Sequence, residues 1–291
     1  MPTTLKITKD RLKLNFHKRG FSSMHTRKNL KDSKRIVIKI GTSSLTHRNG
    51  TLHYAKMECL ARVLSDLKNE GKEVVLVSSG AIGVGAERLG CQERPRQIEV
   101  KQAAAAVGQA ILMQIYEKFF GEYNQIIAQV LLTKDVLEDS IKKTNAQNTF
   151  NTLLKMGVIP IVNENDTIAT EEIQESIFGD NDTLSAMVSV LIEADLLILL
   201  SDIDGLYNKN PRDFSDAVLI DTVDGITDEI EGLAGGAGSS LGTGGMVTKI
   251  SAARIANDHG VDMVIANGED LININKVLEG EKIGTLFKKN E

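Results

Sequence analysis

The chain has 291 residues, 42% of them hydrophobic and 25% charged, which supplies enough apolar material for one large core and excludes a disordered chain. A formal charge of -5 gives no overall attraction to nucleic acid or to an anionic membrane surface. Two cysteines, Cys59 and Cys91, are too few for a disulfide framework or a Cys-x-x-Cys metal site and suit a reducing, cytoplasmic setting, and no apolar run approaches the roughly 20 residues that cross a bilayer.

Charge is unevenly spread. Residues 1–34 hold ten Lys and Arg against two acids, which leaves 24 against 37, a net of -13, for the remainder. Residues 1–33 show little apolar periodicity and are expected to form a basic, disordered extension ahead of one domain at 34–291. A transit peptide would share this composition, but neither an amphipathic Arg face nor a cleavage pattern accompanies it, so a simple extension, with Met24 as an alternative start, is preferred.

From Arg35 the pattern turns regular. Arg35–Ile40 is a β-rich run, residues 54–70 an amphipathic helix stopped by Gly71, and residues 74–78 an apolar strand that turns at Ser79-Gly80 into a helix start. Residues 97–120 read as helix, 126–132 as strand, 144–156 as helix and 158–162 as strand, where Pro160 calls for an edge position or a bulge. Residues 163–179 lack helical spacing and read as a loop or hairpin excursion. The cycle resumes with helix 182–194 and strand 196–200, then helix 250–259, strand 263–266, helix 271–278 and a short strand near 285–287. Such alternation predicts an open, mostly parallel sheet covered on both faces, with ligands at the edge where the strands end.

The residues that follow the strands are polar and Gly-rich: Gly41-Thr-Ser-Ser44, Ser78-Ser-Gly80, Asn163-Glu-Asn-Asp166, Ser201-Asp-Ile-Asp-Gly205 and Asn267-Gly268. One such end is ordinary turn chemistry, whereas several on one edge point to a polar ligand. A Gly-rich run from Gly232 to Lys249 precedes the helical pattern at 250; glycines let backbone N–H groups close on an anion, and the helix start and Lys249 add positive charge. The alternative is a flexible surface loop. The common nucleotide signatures are absent: the place where Gly83-x-Gly85 needs a third glycine is Arg88, and no Gly-x4-Gly-Lys-[Ser/Thr] occurs.

Lys39 lies within the first apolar strand, where an ammonium needs an anion or a carboxylate, unless the strand is an edge that uses Lys against aggregation. Gly179-Asp-Asn-Asp182 opens a helix; capping by Asp180 or Asp182 explains one polar side chain and leaves the others for a ligand.

Six stretches together resemble the amino acid kinase family: Val37-Ile-Lys-Ile-Gly-Thr-Ser-Ser44, Val77-Ser-Ser-Gly-Ala-Ile82, Val162-Asn-Glu-Asn-Asp166, Gly179-Asp-Asn-Asp-Thr-Leu-Ser-Ala186, Leu200-Ser-Asp-Ile-Asp-Gly-Leu-Tyr207 and Leu241-Gly-Thr-Gly-Gly-Met-Val-Thr-Lys249. The likeness runs from about Lys34 to Phe287, and Asn-Glu-Asn-Asp with Gly-Asp-Asn-Asp marks the branch that phosphorylates glutamate on the path to proline. It implies an α/β, three-layer αβα fold with a mostly parallel central sheet, as in carbamate kinase. It implies transfer of phosphate from ATP with Mg²⁺ to the γ-carboxylate of L-glutamate. Lys39, Lys249 and Asp182 would be catalytic and Ser79, Asp166 and Asn181 would bind glutamate. Lys39, Ser201, Asp202, Thr243, Gly244, Gly245, Met246, Val247, Thr248 and Lys249 would hold ATP, with no resident metal site. Ser201 stands where many relatives have Thr and keeps the hydroxyl. Feedback inhibition by proline and a homo-oligomer, dimer or tetramer, are further implications, and no C-terminal PUA domain is expected. Rival readings are a kinase of the same fold for another small acid and a non-catalytic ATP-binding module; two lysines kept together with Asp182 argue against the latter.

Overall fold

Strand β1 (Arg35–Ile40) is buried from its second residue onward: its edges pair with β2 (Glu73–Val77) on one side and β5 (Leu196–Ser201) on the other, each parallel to it, and both its faces are covered. The structure, a computed structural model, describes residues 27–47, 51–93, 95–133, 135–168, 181–234 and 245–290. With β3 (Ile127–Leu132), β4 (Ile159–Glu164), β6 (Thr222–Val223), β7 (Asp262–Asn267) and β8 (Thr285–Phe287) the strands form one sheet in the order β3-β4-β2-β1-β5-β7-β8-β6. All neighbours are parallel except β7 and β8.

The helices are α1 (Thr42–Leu45), α2 (Tyr54–Asn69), α3 (Ala81–Arg88), α4 (Ile98–Glu122), α5 (Asp135–Glu138), α6 (Ser140–Lys155), α7 (Asn181–Leu191), α8 (Asp228–Ala234), α9 (Met246–Asp258) and α10 (Asn273–Leu278). Successive residues of a strand point to opposite faces, and β1 shows it. Ile36, Ile38 and Ile40 belong to a core with Leu60 and Leu64 of α2, Leu112 and Tyr116 of α4 and Ile274 of α10. Val37 belongs to the other core, with Phe150 of α6, Val188 of α7 and Ala252 of α9. The sheet is therefore the middle of three layers, as the strand–helix alternation predicts.

Several expectations are corrected. β4 is neither an edge nor bulged, yet it accommodates Pro160: Ile159 N–H donates to Ile126 O on the β3 side, so the proline faces β2, where pairing begins only at Leu76 and Ile161. No ladder bond is lost there. The helix expected from 144 starts at Ser140, because Asp139 caps it by accepting from Ile141 and Lys142 N–H at 2.9 Å. The excursion expected at 163–179 begins later, since Asn163 and Glu164 still belong to β4, and residues 169–180 lie outside the described residues. The short elements α1, α5, α8 and β6 carry too few residues for a periodic signal. Of the basic extension, residues 1–26 lie outside the described residues, whereas residues 27–33 are packed into the fold, with Arg27 1% and Leu30 2% exposed.

Candidate active site

Lys39 is the penultimate residue of β1 and shares the face of Val37, so it points into the layer formed by α6, α7 and α9. Because β1 has partners on both sides, the edge-strand explanation of Lys39 fails. Its ammonium, on a side chain only 7% exposed, instead meets the carboxylate of Asp182 at 2.5 Å. Asp182 is the second residue of α7 and has no exposed side-chain surface. Its other oxygen, Oδ2, accepts from Lys249 Nζ at 3.0 Å and from Thr248 Oγ1 at 3.1 Å, both from the first turn of α9. One carboxylate thus clasps two ammonium groups that are 210 positions apart in the sequence. Burial works to raise the pKa of Asp182, but the charges and hydrogen bonds of Lys39 and Lys249 outweigh it and hold the carboxyl well below its usual range. Helix capping alone does not account for Asp182.

Helix α9 starts at Gly245, an extended N-cap residue without a side-chain cap. The exposed amides and the partial positive charge of such a start, with Lys249 beside it, favour an anion. Of the expected ATP-binding residues, Gly245, Met246, Val247, Thr248 and Lys249 form this turn, and Thr243 and Gly244 lie outside the described residues. Ser201, buried at the end of β5, donates to Asp202 Oδ1 at 3.1 Å, and Asp202 is exposed at the same sheet edge.

A second polar cluster abuts the first through the peptide that joins Asn181 to Asp182. Asn181 Nδ2 lies 2.6 Å from Ser78 O, 2.8 Å from Ser79 Oγ and 3.0 Å from Asn163 Oδ1. Gly80 follows with φ 98°, a left-handed conformation that glycine adopts without a side-chain penalty, and caps α3. Asp166 sits half-buried in the turn after β4. The expected glutamate residues Ser79 and Asn181 are therefore in contact, and Asp166 lies one turn beyond Asn163 of the same cluster.

Two participants, Gln109 and Tyr116, were not picked from the sequence. Asn163 Nδ2 donates to Gln109 Oε1 of α4 at 2.9 Å, and the hydroxyls of Tyr116 of α4 and Ser78 lie 2.8 Å apart. Burial pushes the Tyr116 phenol above its usual pKa although the Ser78 hydrogen bond acts the other way. Gln109 and Tyr116 share the buried stripe of α4 with Ala105, Gly108, Leu112 and Phe120. Two polar side chains on an otherwise apolar helical stripe are the signal that could have found them.

Among the described residues no cluster of three or more His, Cys, Asp or Glu is placed to hold a metal ion, and no helix is long and apolar enough to cross a membrane.

With this geometry in place, comparison with known proteins gives a consistent result. The model of the Amino acid kinase family matches residues 34–267. A glutamate 5-kinase of Clostridium perfringens is 59% identical over 268 residues, covering 91% of this chain and 100% of that protein. A glutamate 5-kinase of Clostridium acetobutylicum is 57% identical over 265 residues, 91% of this chain and 98% of that one. Among solved structures, T. acidophilum isopentenyl phosphate kinase in its product complex superposes with a TM-score of 0.59 at 18% identity, covering 87% of this chain and 100% of that chain. At that identity the likeness speaks for the fold alone.

Proposed function

The chain belongs to the amino acid kinase family, and from that premise we propose that it transfers the γ-phosphoryl group of ATP to the γ-carboxylate of L-glutamate. The products are ADP and L-glutamyl 5-phosphate, and the reaction opens proline biosynthesis. The observation that carries the reading is the buried Asp182 carboxylate between Lys39 and Lys249 at the C-terminal edge of the sheet, joined to identities of 57–59% with glutamate 5-kinases over nine-tenths of the chain.

In the step itself, an oxygen of the γ-carboxylate forms a bond to the γ-phosphorus while the bond to the oxygen bridging the β- and γ-phosphorus breaks, and ADP keeps that electron pair. The acceptor is already ionised at pH 7, a side-chain carboxyl having a pKa of about 4.3, so no general base is required. The difficulty is to bring an anion against a polyanion. Lys39 and Lys249 offset that repulsion, and their charge is most useful as it spreads over the transferring oxygens. Asp182 fixes both ammonium groups so that neither has to reorganise when the phosphate arrives. Ser79, Asn181 and Asp166 hold glutamate, while Ser201, Asp202, Thr243, Gly244 and the turn from Gly245 to Lys249 hold ATP.

A Mg²⁺ carried in with ATP would bind largely through phosphates and need few protein ligands, which fits an Asp182 carboxylate already engaged by two ammonium groups. When bound, that ion supplies further charge neutralisation to the phosphates. A homo-oligomer and inhibition by proline belong to the same proposal and are read by light scattering and by adding proline to the assay. A cytoplasmic location is likewise part of the proposal.

Incubation with ATP, Mg²⁺, L-glutamate and hydroxylamine tests the reaction, because an acyl phosphate is trapped as a coloured hydroxamate. Colour with glutamate, and none with aspartate or N-acetylglutamate, is expected. Equal colour with either alternative would refute the assignment of substrate.

A further inference from the structure

The amide groups around the glutamate-binding loop form a directed chain. A backbone carbonyl can only accept, so the atom of Asn181 that lies 2.6 Å from Ser78 O is its nitrogen, and Oδ1 is turned away from the protein loop. A backbone N–H can only donate, so the atom of Asn163 that meets Glu164 N at 2.9 Å is its oxygen, the same oxygen that accepts from Asn181. The nitrogen of Asn163, a residue 1% exposed, then needs a buried acceptor, and Gln109 Oε1 supplies it at 2.9 Å. Two groups that cannot reverse their polarity, the Ser78 carbonyl and the Glu164 N–H, therefore set the orientation of both asparagines. Gln109 satisfies the last link.

We propose that Gln109 is a positioning residue for the amino acid substrate: by accepting from Asn163 it holds Asn181 with Oδ1 presented to the cleft as an acceptor for the substrate ammonium. The inference rests on the glutamate reading above, because at pH 7 the ammonium is the only donor that free glutamate carries. Among the described residues no donor meets Asn181 Oδ1. The helix geometry supports a dedicated role. Gly108, beside Gln109, lies so close to α3 that a Cβ there would stand 1.8 Å from Ala81 O, and Gly85 on α3 would clash with Ala104 O of α4 in the same way. This close approach sets α4 beneath the end of β4, where Gln109 reaches Asn163. Seven residues on, two helical turns along the same stripe, the Tyr116 hydroxyl meets that of Ser78, the residue whose carbonyl accepts from Asn181.

The test is Gln109→Met, which keeps length and apolar packing but removes the accepting oxygen. With the buried Asn163 nitrogen left without its acceptor, the Asn163 side chain no longer rests where its oxygen meets Asn181, and KM for glutamate is expected to rise about tenfold or more, the loss typical of a hydrogen bond to a charged group, while kcat and KM for ATP stay within about twofold. Glutarate, which is glutamate without the ammonium, provides the discriminating readout: its weaker phosphorylation, followed as hydroxamate, should change no more than about twofold. A glutamate KM within twofold of wild type, or a parallel loss with glutarate or ATP, would overturn the proposal and leave Gln109 a packing residue. Gln109→Ala, read by the same ratios, serves if the Met variant does not fold. Wild-type protein that makes no hydroxamate from glutamate would instead sink the reaction itself, so the two failures are separable.

Discussion

Asp182→Asn is the most informative single change, since it keeps shape and removes the negative charge that Lys39 and Lys249 share at 2.5 and 3.0 Å. In wild type two attractions offset the cost of burying three charges. In the variant two ammonium groups, each held near the same amide, repel: at an effective dielectric near 20, like charges ~5 Å apart cost about 3 kcal/mol. Breaking a buried pair by deleting one partner costs about 3–5 kcal/mol. For a chain of this size that corresponds to a Tm lower by roughly 6–20 °C without nucleotide. ATP brings its own negative charge to the orphaned lysines, so it should raise Tm more in the variant than in wild type, and KM for ATP should not increase. The rate should still fall about 100-fold or more, because the lysines are no longer held in place for the transition state. The pH dependence carries a sign. A carboxyl whose folded pKa is depressed contributes stability that is complete above its unfolded value, about 3.9, and is lost as pH falls toward the folded value. The Tm difference between wild type and Asp182→Asn should therefore be constant from pH 7 to 5 and shrink below pH 4. A variant with kcat within threefold of wild type would refute the clasp as a catalytic device, and an unchanged Tm would refute its energetics.

The remaining expectations are simpler. Lys39→Ala and Lys249→Ala should each lower kcat more than they raise KM for glutamate, and steady-state kinetics giving near-normal kcat for either would remove that residue from the chemistry. Asp166→Ala should chiefly raise KM for glutamate with kcat largely kept, as a partner of the ammonium would; a pure kcat effect would count against that role. Arg27→Leu should cost about 3 kcal/mol of stability, because the buried guanidinium donates to the carbonyls of Glu281, Ile283, Gly284 and Asp221 at 2.7–3.0 Å. A melting curve that matches wild type would show that residues 27–33 are not integral to the fold.

Much of this was legible in the sequence, for identifiable reasons. Continuous apolar strands such as β1 and β5, and helical patterns such as α2 and α9, carry their own evidence, and strand ends rich in Gly and polar residues locate the ligand edge before any topology is known. Pro160 misled because the rule concerns a missing N–H, and whether that N–H has a partner depends on where the neighbouring ladder starts. The basic run at the N-terminus misled in another way: charge density hides Arg27, whose side chain enters the fold because four carbonyls converge on it. Gln109 and Tyr116 stayed hidden because a helix of 25 residues with several alanines looks complete without them. Their partners, Asn163 and Ser78, lie 54 and 38 residues away, and nothing local marks the pairing.

The two polar clusters meet at a single peptide, and that junction explains how the halves of the site stay in register. Consecutive residues on a helix are turned by about 100° from one another, so the first two residues of α7 address different neighbours: Asn181 the loop after β2, Asp182 the lysines of β1 and α9. A reaction that joins a carboxylate to a phosphate requires the two to approach to near bonding distance, and errors of about 1 Å are costly. Placing the organiser of each cluster on adjacent positions of a buried helix start makes their separation a matter of covalent geometry.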